Sequence, residues 1–519
     1  MSAAVTADTR PTGNADFGAW LAVAAGTIGA FMATLDISIV NSALPTIQGE
    51  IGASGTEGTW IATSYLVAEI IIIPIAGWLE RLTGLRTFLM VMVAAFTAFS
   101  MLCGVSTSLT MMIIGRMGQG FAGGALIPTA MSIIATRLPA HQQPVGIAAF
   151  GATAITGPVF GPVVGGWLAD NLSWHYAFFI NLPIGILLLS LLFFGLPAVR
   201  AQRHLLREAD WLGIAGITLF LGGLTIFLEE GEREQWFESR TIVAVFAGTI
   251  LGFVLLMLGQ VIAEKPVLRL RLLLDRQFGA VIIMAIIVGM ALYGTAFIIP
   301  QFLTAIAGYN SLQSGRVVFL AGIPAAMLMP FVPWLIRSID IRVVVISGLA
   351  MLALSCWLET DLTSQTSGGV FAESQLMRGV GQTLAMMFLN QAALSSVPIE
   401  FSRDAAGLFS AARNLGGSLA LAGISVVQDQ RIWLHQRRLE ETISANSVLV
   451  QDYMNGQAVA LGGMPTAYQA LANTIRIQAL TLTYVDMFWI LTVGVIAIMP
   501  LALLLRPLPK RGVPAELMH

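Results

Sequence analysis

The chain has 519 residues, 56% of them hydrophobic and only 11% charged, with a net charge of −2. Soluble domains carry about 25% charged residues, so this composition excludes a water-soluble globule and points to a polytopic membrane protein. The near-neutral balance gives no sign of a nucleic-acid partner.

A bilayer core about 30 Å thick takes about 20 helical residues to cross. Fourteen apolar stretches qualify: 17–44, 60–80, 87–107, 110–137, 144–169, 175–197, 211–230, 241–263, 278–305, 314–336, 342–359, 371–397, 404–428 and 482–505. The expected fold class is therefore an all-α membrane protein. Residues 1–16 are polar and hold Asp8, Arg10 and Asp16, so no cleavable signal peptide is read and the first stretch stays as a span. Lys and Arg collect in cytoplasmic loops. With the N-terminus inside, 17 basic residues fall on the inner side and 7 on the outer. That bias predicts both termini in the cytoplasm, with tails at 1–16 and 506–519.

In chain order, the first two spans each carry a carboxylate, Asp36 and Glu69. A charge at mid-membrane costs about 2.5–3.5 kcal/mol on insertion scales, so each needs a reason. One reason is proton coupling; the plainer one is a structural ion pair for Asp36 and a hydrogen-bonded neutral carboxyl for Glu69. After span 2 comes Gly77-Trp78-Leu79-Glu80-Arg81-Leu82-Thr83-Gly84-Leu85-Arg86. Span 4 holds Arg116, Gly118 and Gln119. Span 5 contains Gly157-Pro158-Val159-Phe160-Gly161-Pro162-Val163-Val164-Gly165-Gly166. Proline removes a backbone donor and glycine admits a close neighbour, so this segment reads as a bent helix packed tightly on another.

After span 10 the chain reads Pro333-Trp334-Leu335-Ile336-Arg337-Ser338-Ile339-Asp340-Ile341-Arg342, in register with 77–86 at Trp, Leu and both arginines. Arg378 with Gly381-Gln382 likewise answers Arg116 with Gly118-Gln119. The chain thus divides into an N-terminal six-helix half (17–197), an inserted hairpin of spans 7 and 8 (211–263) and a C-terminal six-helix half (278–505). Parallel halves around a midplane site are a transporter architecture. Span 13 carries Arg413-Asn414. Asp486, near the outer end of span 14, reads as structural.

Residues 429–481, between spans 13 and 14, form the one long outer loop. Ile432, Leu439 and Ile443 recur at helical spacing among charges, and Tyr468, Leu471 and Ile475 repeat the pattern. It reads as a solvated helical hairpin capping the outer face, or as a docking site for a partner. Cys103 and Cys356 both sit in apolar spans and read as small hydrophobes. The five histidines show no metal-ligand spacing, and no phosphate-binding Gly-Lys-Ser or Gly-Lys-Thr loop is present. No metal, cofactor or enzymatic site is expected.

The first-span run Leu35–Pro45, the loop 77–86, Gly115-Arg116-Met117-Gly118-Gln119-Gly120 and the span-5 run together resemble the fourteen-span drug:proton antiporters of the major facilitator superfamily. This is the EmrB/QacA family, and the likeness is strongest to its EmrB-like multidrug efflux permeases. Glu80 stands where that family's loop has Asp. The resemblance implies a major facilitator fold and proton-driven export of hydrophobic or amphiphilic compounds across the inner membrane, without a cofactor. A dedicated exporter of an aromatic acid, fatty acid or siderophore is the alternative.

The resemblance also implies site roles. Arg116 lies close to Asp36, and these two handle the proton; Glu69, in a span that faces the cavity in this superfamily, is a second proton site or a counter-charge for cationic substrates. Glu80, Arg81, Arg86, Asp340 and Arg342 form a cytoplasmic gate across the halves. The glycines and prolines at 157, 158, 161, 162, 165 and 166 form the antiporter motif. The substrate cavity draws on Phe31, Tyr65, Gln119, Tyr293, Phe297, Gln301, Arg378, Gln382, Asn390, Gln391, Arg413 and Asn414. The expected partners are small-molecule substrates, protons, the lipid bilayer, a periplasmic membrane-fusion adaptor and an outer-membrane channel of the TolC type.

Overall fold

A bilayer offers no water to backbone N–H and C=O groups, so an apolar chain of this length satisfies them within helices. The computed structural model describes residues 14–506 except 54, 140, 198, 200, 265, 399–400 and 444–446, and the tails 1–13 and 507–519 lie outside the described residues. The helices are α1 (Phe17–Ile51), α2 (Gly55–Gly58), α3 (Trp60–Thr83), α4 (Leu85–Gly104), α5 (Leu109–Arg137), α6 (Gln143–Asn171), α7 (Tyr176–Phe179), α8 (Asn181–Gly195), α9 (Trp211–Glu230) and α10 (Arg240–Ile262). There follow α11 (Arg276–Ala305), α12 (Ser311–Phe319), α13 (Gly322–Leu328), α14 (Val332–Ser338), α15 (Ile341–Leu358), α16 (Phe371–Ser395), α17 (Ser402–Thr442), α18 (Val448–Leu461) and α19 (Met464–Ile498).

Short polar side chains start several of them. Asp16, Ser108, Asp210, Asp275 and Asp340 each accept a bond from a first-turn N–H, and Asn310 makes a capping box with Gln313. Among the described residues, ten helical segments are long and apolar enough to cross a membrane. The long helices α5, α6, α16 and α17 are not among them. They carry the glycines, arginines and amides that face inward.

Two groups of helices result. In the first, α1 packs on α6, α5 and α8, and α3 and α4 pack on α5. In the second, α11 packs on α17, α15 on α16, and α17 on α19. The α9–α10 hairpin leans on the first group through α3 and also touches α17. The groups meet along α3–α17, α5–α17 and α6–α12.

The span expected at 314–336 is matched by one apolar segment, Gln313–Phe331, which is kinked into α12, α13 and a 3₁₀ turn at Met329–Phe331, with α14 following. Pro324, Pro330 and Pro333 each remove a backbone donor there. The stretch at 429–481 is not a separate cap. Its ends continue α17, 41 residues long, and α19, 35 residues long. At 1.5 Å per residue these are about 60 and 50 Å, well beyond a bilayer core of about 30 Å. At the base of this extension Asp486 meets His435 at 2.8 Å and Arg431 at 3.5 Å. Both cysteines are free and buried.

Candidate functional site

Five glycines of α5, at 115, 118, 120, 123 and 124, set the first group's interior. A Cβ on Gly120 would lie 2.2 Å from the carbonyl oxygen of Tyr65, so only glycine lets α3 come this close. Arg116 is thereby enclosed, 1% exposed. Its Nη1 donates to Asp36 Oδ2 at 2.6 Å and to Gln119 Oε1 at 3.1 Å, and its Nε donates to the Ile61 carbonyl at 3.2 Å. The Tyr65 ring covers the guanidinium at 4.2 Å. The other carboxylate oxygen of Asp36 accepts from Gln119 Nε2 at 3.0 Å and Asn181 Nδ2 at 2.7 Å, and Asn181 also donates to Ser100. Every member of this network is buried. Asn181 and Ser100 carried no sequence signal, because a lone amide or hydroxyl in an apolar span is common.

Glu69 lies at the seam between the groups. Asn414 Nδ2, on α17, donates to Glu69 Oε1 at 3.1 Å. Asn414 Oδ1 faces Arg413 Nη2 at 3.2 Å and the Tyr293 hydroxyl at 3.4 Å. The carboxylate of α3 is thus tied through one amide to an arginine and a tyrosine of the second group.

That second group has its own pair. Arg378 bonds Glu359, which also accepts from Ser374 at 2.8 Å. Glu359 carries no sequence signal, since it stands at a span end where an acid is unremarkable.

Between the groups lies a cavity of about 1270 Å³. Tyr293, Phe297, Gln301, Arg378, Gln382, Asn390 and Arg413 line it. Phe31, Tyr65, Gln119, Gln391 and Asn414 do not. Phe31 packs with the α1 core, Tyr65 is spent on Arg116, Gln119 on Asp36 and Asn414 on Glu69. Thr34, Met131, Phe150, Met386, Met387 and Phe409 supply much of the remaining wall. Residues 228–230, 232 and 233, at and beyond the end of α9, also reach it, so the inserted hairpin contributes to the site. There Glu230 pairs with Arg233 and accepts from Thr63 at 3.0 Å. Glu232 faces Asp429; burial first, then that neighbouring carboxylate, push its carboxyl up to about 7.

The residues expected to form a gate are placed differently from one another. Arg81 does cross between the groups, but its partner is Asp404 at 3.9 Å, which Arg269 also approaches at 3.6 Å. Glu80 is buried and faces Ser132 at 3.4 Å within its own group. Arg86 sits over the Phe193 ring, Asp340 caps α15, and Arg342 Nε donates to the Leu505 carbonyl. Among the described residues these three make no hydrogen bond or ion pair across the seam; a ring, a helix end and a carbonyl nearby in space claim them first.

The glycines of the span-5 run also work within one group. Cβ atoms on Gly157, Gly161 and Gly165 would meet Thr34 Oγ1 at 2.2 Å, Ser38 Cβ at 2.1 Å and Ser42 Oγ at 2.2 Å. Every fourth residue of α6 thus fits every fourth residue of α1. Gly166 meets nothing within 4 Å. Across the seam, α6 uses Phe160, whose ring meets Phe319 at 5.6 Å, and Pro162 beside Gly315. Pro158 lies within α6. Gly157, Gly161 and Gly165 give the tight packing expected of the segment, and the helix they pack on is α1.

Among the described residues no cluster of His, Cys, Asp or Glu is arranged to hold a metal ion. The arrangement is that of two helical groups with a mainly apolar space between them, into which a few polar and charged groups project.

The comparisons agree with that geometry. Residues 26–421 match the family model described as Major Facilitator Superfamily. The chain is similar to the colistin resistance protein EmrB of Acinetobacter baumannii, 32% identical over 480 residues, covering 92% of this chain and 94% of that protein. It is also similar to the multidrug export protein EmrB of Escherichia coli, 30% identical over 467 residues, covering 89% and 90%. Among solved structures it resembles the human organic anion transporter MFSD10, with a TM-score of 0.59 and 13% identity, covering 92% of this chain and 99% of that one. At that identity the likeness concerns the fold.

Proposed function

Since this chain belongs to the Major Facilitator Superfamily, whose members are transporters rather than enzymes and need no cofactor, we propose that it is a proton-driven exporter of hydrophobic or amphiphilic compounds. The observation that carries the reading is the cavity between the two groups. Its wall mixes methionine and aromatic surface with Arg378, Arg413 and the acids at 229–232. Soft apolar surface accepts varied shapes and the few charges orient them. Two relatives are named for colistin resistance and for multidrug export.

The proposed topology is fourteen spans, as two six-helix halves and an inserted hairpin, with both termini on the cytoplasmic side of an inner membrane. The α17–α19 extension would then reach the periplasm, where it could meet an adaptor that leads to an outer-membrane channel of the TolC type. The proposed coupling uses two carboxylates in different ways. Asp36 and Arg116 form a pair internal to the first half. Glu69 bonds the second half directly through Asn414, so gain of a proton there bears on the seam itself. An element whose bonds differ between two states is what an alternating transporter needs.

The test is drug-driven proton movement in proteoliposomes of the full chain. Export predicts that a substrate gradient moves protons in the opposite sense, and that Glu69→Gln keeps the Asn414 bond while removing the pH dependence. Proton movement unchanged by Glu69→Gln would remove Glu69 from the coupling, and uptake parallel to the proton gradient would overturn export.

A further inference from the structure

Three buried polar atoms on one wall of the cavity have no hydrogen-bond partner among the described residues. Gln375 is 1% exposed with Nε2 unbonded, Arg378 is 4% exposed with Nε unbonded, and Ser314 is 3% exposed with Oγ unbonded. All three line the cavity. A buried donor left unpaired is costly, and native structures rarely keep several together. Here they share one neighbourhood. Gln375 and Arg378 are three residues apart, on one face of α16, and Ser314 is on α12, which packs against α16.

The charge of this wall is set by the ion pair. Glu359 takes one terminal nitrogen of Arg378. A guanidinium has five donors in a rigid fork, so its Nε edge stays available. Gln375 and Ser314 add donors without adding charge. One spare arginine edge and two neutral donors suit an acceptor with a single negative charge, better than a doubly charged phosphate. The same face of α16 continues to Gln382, Met386 and Met387. From Gln375 to Met387 the rise is about 18 Å, polar at one end and thioether at the other.

We propose that Ser314, Gln375 and Arg378 form a subsite for the carboxylate or phenolate of an amphiphilic organic acid, whose apolar body lies along Met386 and Met387. This deepens the export reading and rests on it. Binding, however, is read without a proton gradient, so its failure is separate from a failure of export. The cavity's acids, Glu229, Glu230, Glu232 and Asp429, come from the end of α9, the turn after it and α17, and leave this wall to the donors.

The experiment is equilibrium binding to the full chain in lipid nanodiscs, with dodecanoate and dodecyltrimethylammonium as a pair that shares one tail. Gln375→Leu keeps the bulk and removes the donor. It is expected to weaken dodecanoate about tenfold, the worth of one bond to a charged group, and the ammonium less than about twofold. Gln375→Glu puts a carboxylate on the wall and is expected to reverse the preference between the two. Ser314→Ala acts in the same direction as Gln375→Leu and more weakly. A third arm uses 2-naphthoate, which reaches the cavity from water, whereas dodecanoate also reaches it from the lipid. Loss of both acids in the variants assigns the site to acids from either source; loss of dodecanoate alone assigns it to acids from the leaflet. The proposal is overturned if acid and ammonium weaken together, the mark of a packing defect, or if acid binding is unchanged.

Discussion

Arg116 and Arg378 occupy matching places in the internal repeat, yet the structure uses them in opposite ways. Arg116 is closed off: Asp36 and Gln119 hold it, Tyr65 covers it, and none of these borders the cavity. Arg378 is paired as well, but it and Gln382 form part of the cavity wall. The glutamine follows the arginine by three residues in the first case and by four in the second. Both spacings make neighbours on a helix, but on opposite sides of the arginine. One extra residue thus turns the second amide away from the ion pair and toward the cavity. The first half has spent its arginine on rigidity, and the second has kept part of its arginine for contact.

The largest test of this difference compares the two acids. Asp36→Asn leaves Arg116 buried without its counter-charge, and breaking such a pair costs about 3–5 kcal/mol. Glu359→Gln leaves Arg378 beside a cavity that solvent can enter, so its loss should be smaller. Thermal unfolding of both variants in the same lipid environment reads the difference. Equal losses would mean that the second pair is as structural as the first.

A smaller effect is expected where α6 meets α1. Leucine at Gly161 would need space that Ser38 already fills, with its Cβ 2.1 Å from that of Ser38. Overpacking of this kind costs about 1–3 kcal/mol. The same change at Gly166, which faces nothing within 4 Å, should cost far less. If the two variants melt together, the glycines at 157, 161 and 165 do not hold the first half in register.

Much of this was legible in the residues. Span positions follow from apolar length, and the resemblance pointed to Asp36 beside Arg116. Partners were not legible where a side chain is common in its setting. Asn181, Ser100, Glu359 and Asp404 draw no notice until the fold puts an arginine or a carboxylate against them. The helices α5, α16 and α17 were legible as apolar stretches at 110–137, 371–397 and 404–428. Their arginines, amides and glycines lower their hydropathy, so the polar residues and the span signal compete in one stretch. Nor does the sequence of α9 show that its last turn reaches the cavity, because that depends on how the hairpin leans on α3.

The seam closed by Arg81 should respond more weakly still. The pair with Asp404 spans 3.9 Å and Arg81 is 31% exposed, and the buried Asp404 keeps Arg269 at 3.6 Å when Arg81 is removed, so the loss should stay near the roughly 0–1 kcal/mol of surface pairs. Arg81→Ala is therefore expected to leave the melting temperature nearly unchanged while altering accessibility at the seam, read as faster labelling of a cysteine placed at Ala406 in the cavity wall. Protection equal to that of the parent chain would mean that packing between α3 and α17, rather than this charge pair, keeps the seam shut.

The smallest expected effect lies where the hairpin meets α17, and its sign follows from one carboxyl. Burial and the adjacent Asp429 raise Glu232 from an ordinary 4.5 to about 7. The folded chain therefore holds a proton at pH values where the unfolded chain has released it. Its contribution to stability is complete below about pH 4.5 and is lost as pH rises to about 7. Glu230 and Arg233 stand nearby as a pair and offset each other's charge. Glu232→Gln removes the titrating group and keeps the hydrogen-bonding shape, so the melting temperature of this variant should fall less between pH 4.5 and pH 7 than that of the parent. Identical slopes would show that the Glu232–Asp429 contact holds no proton, and that the outer end of the cavity is as fixed as the interior of the first half.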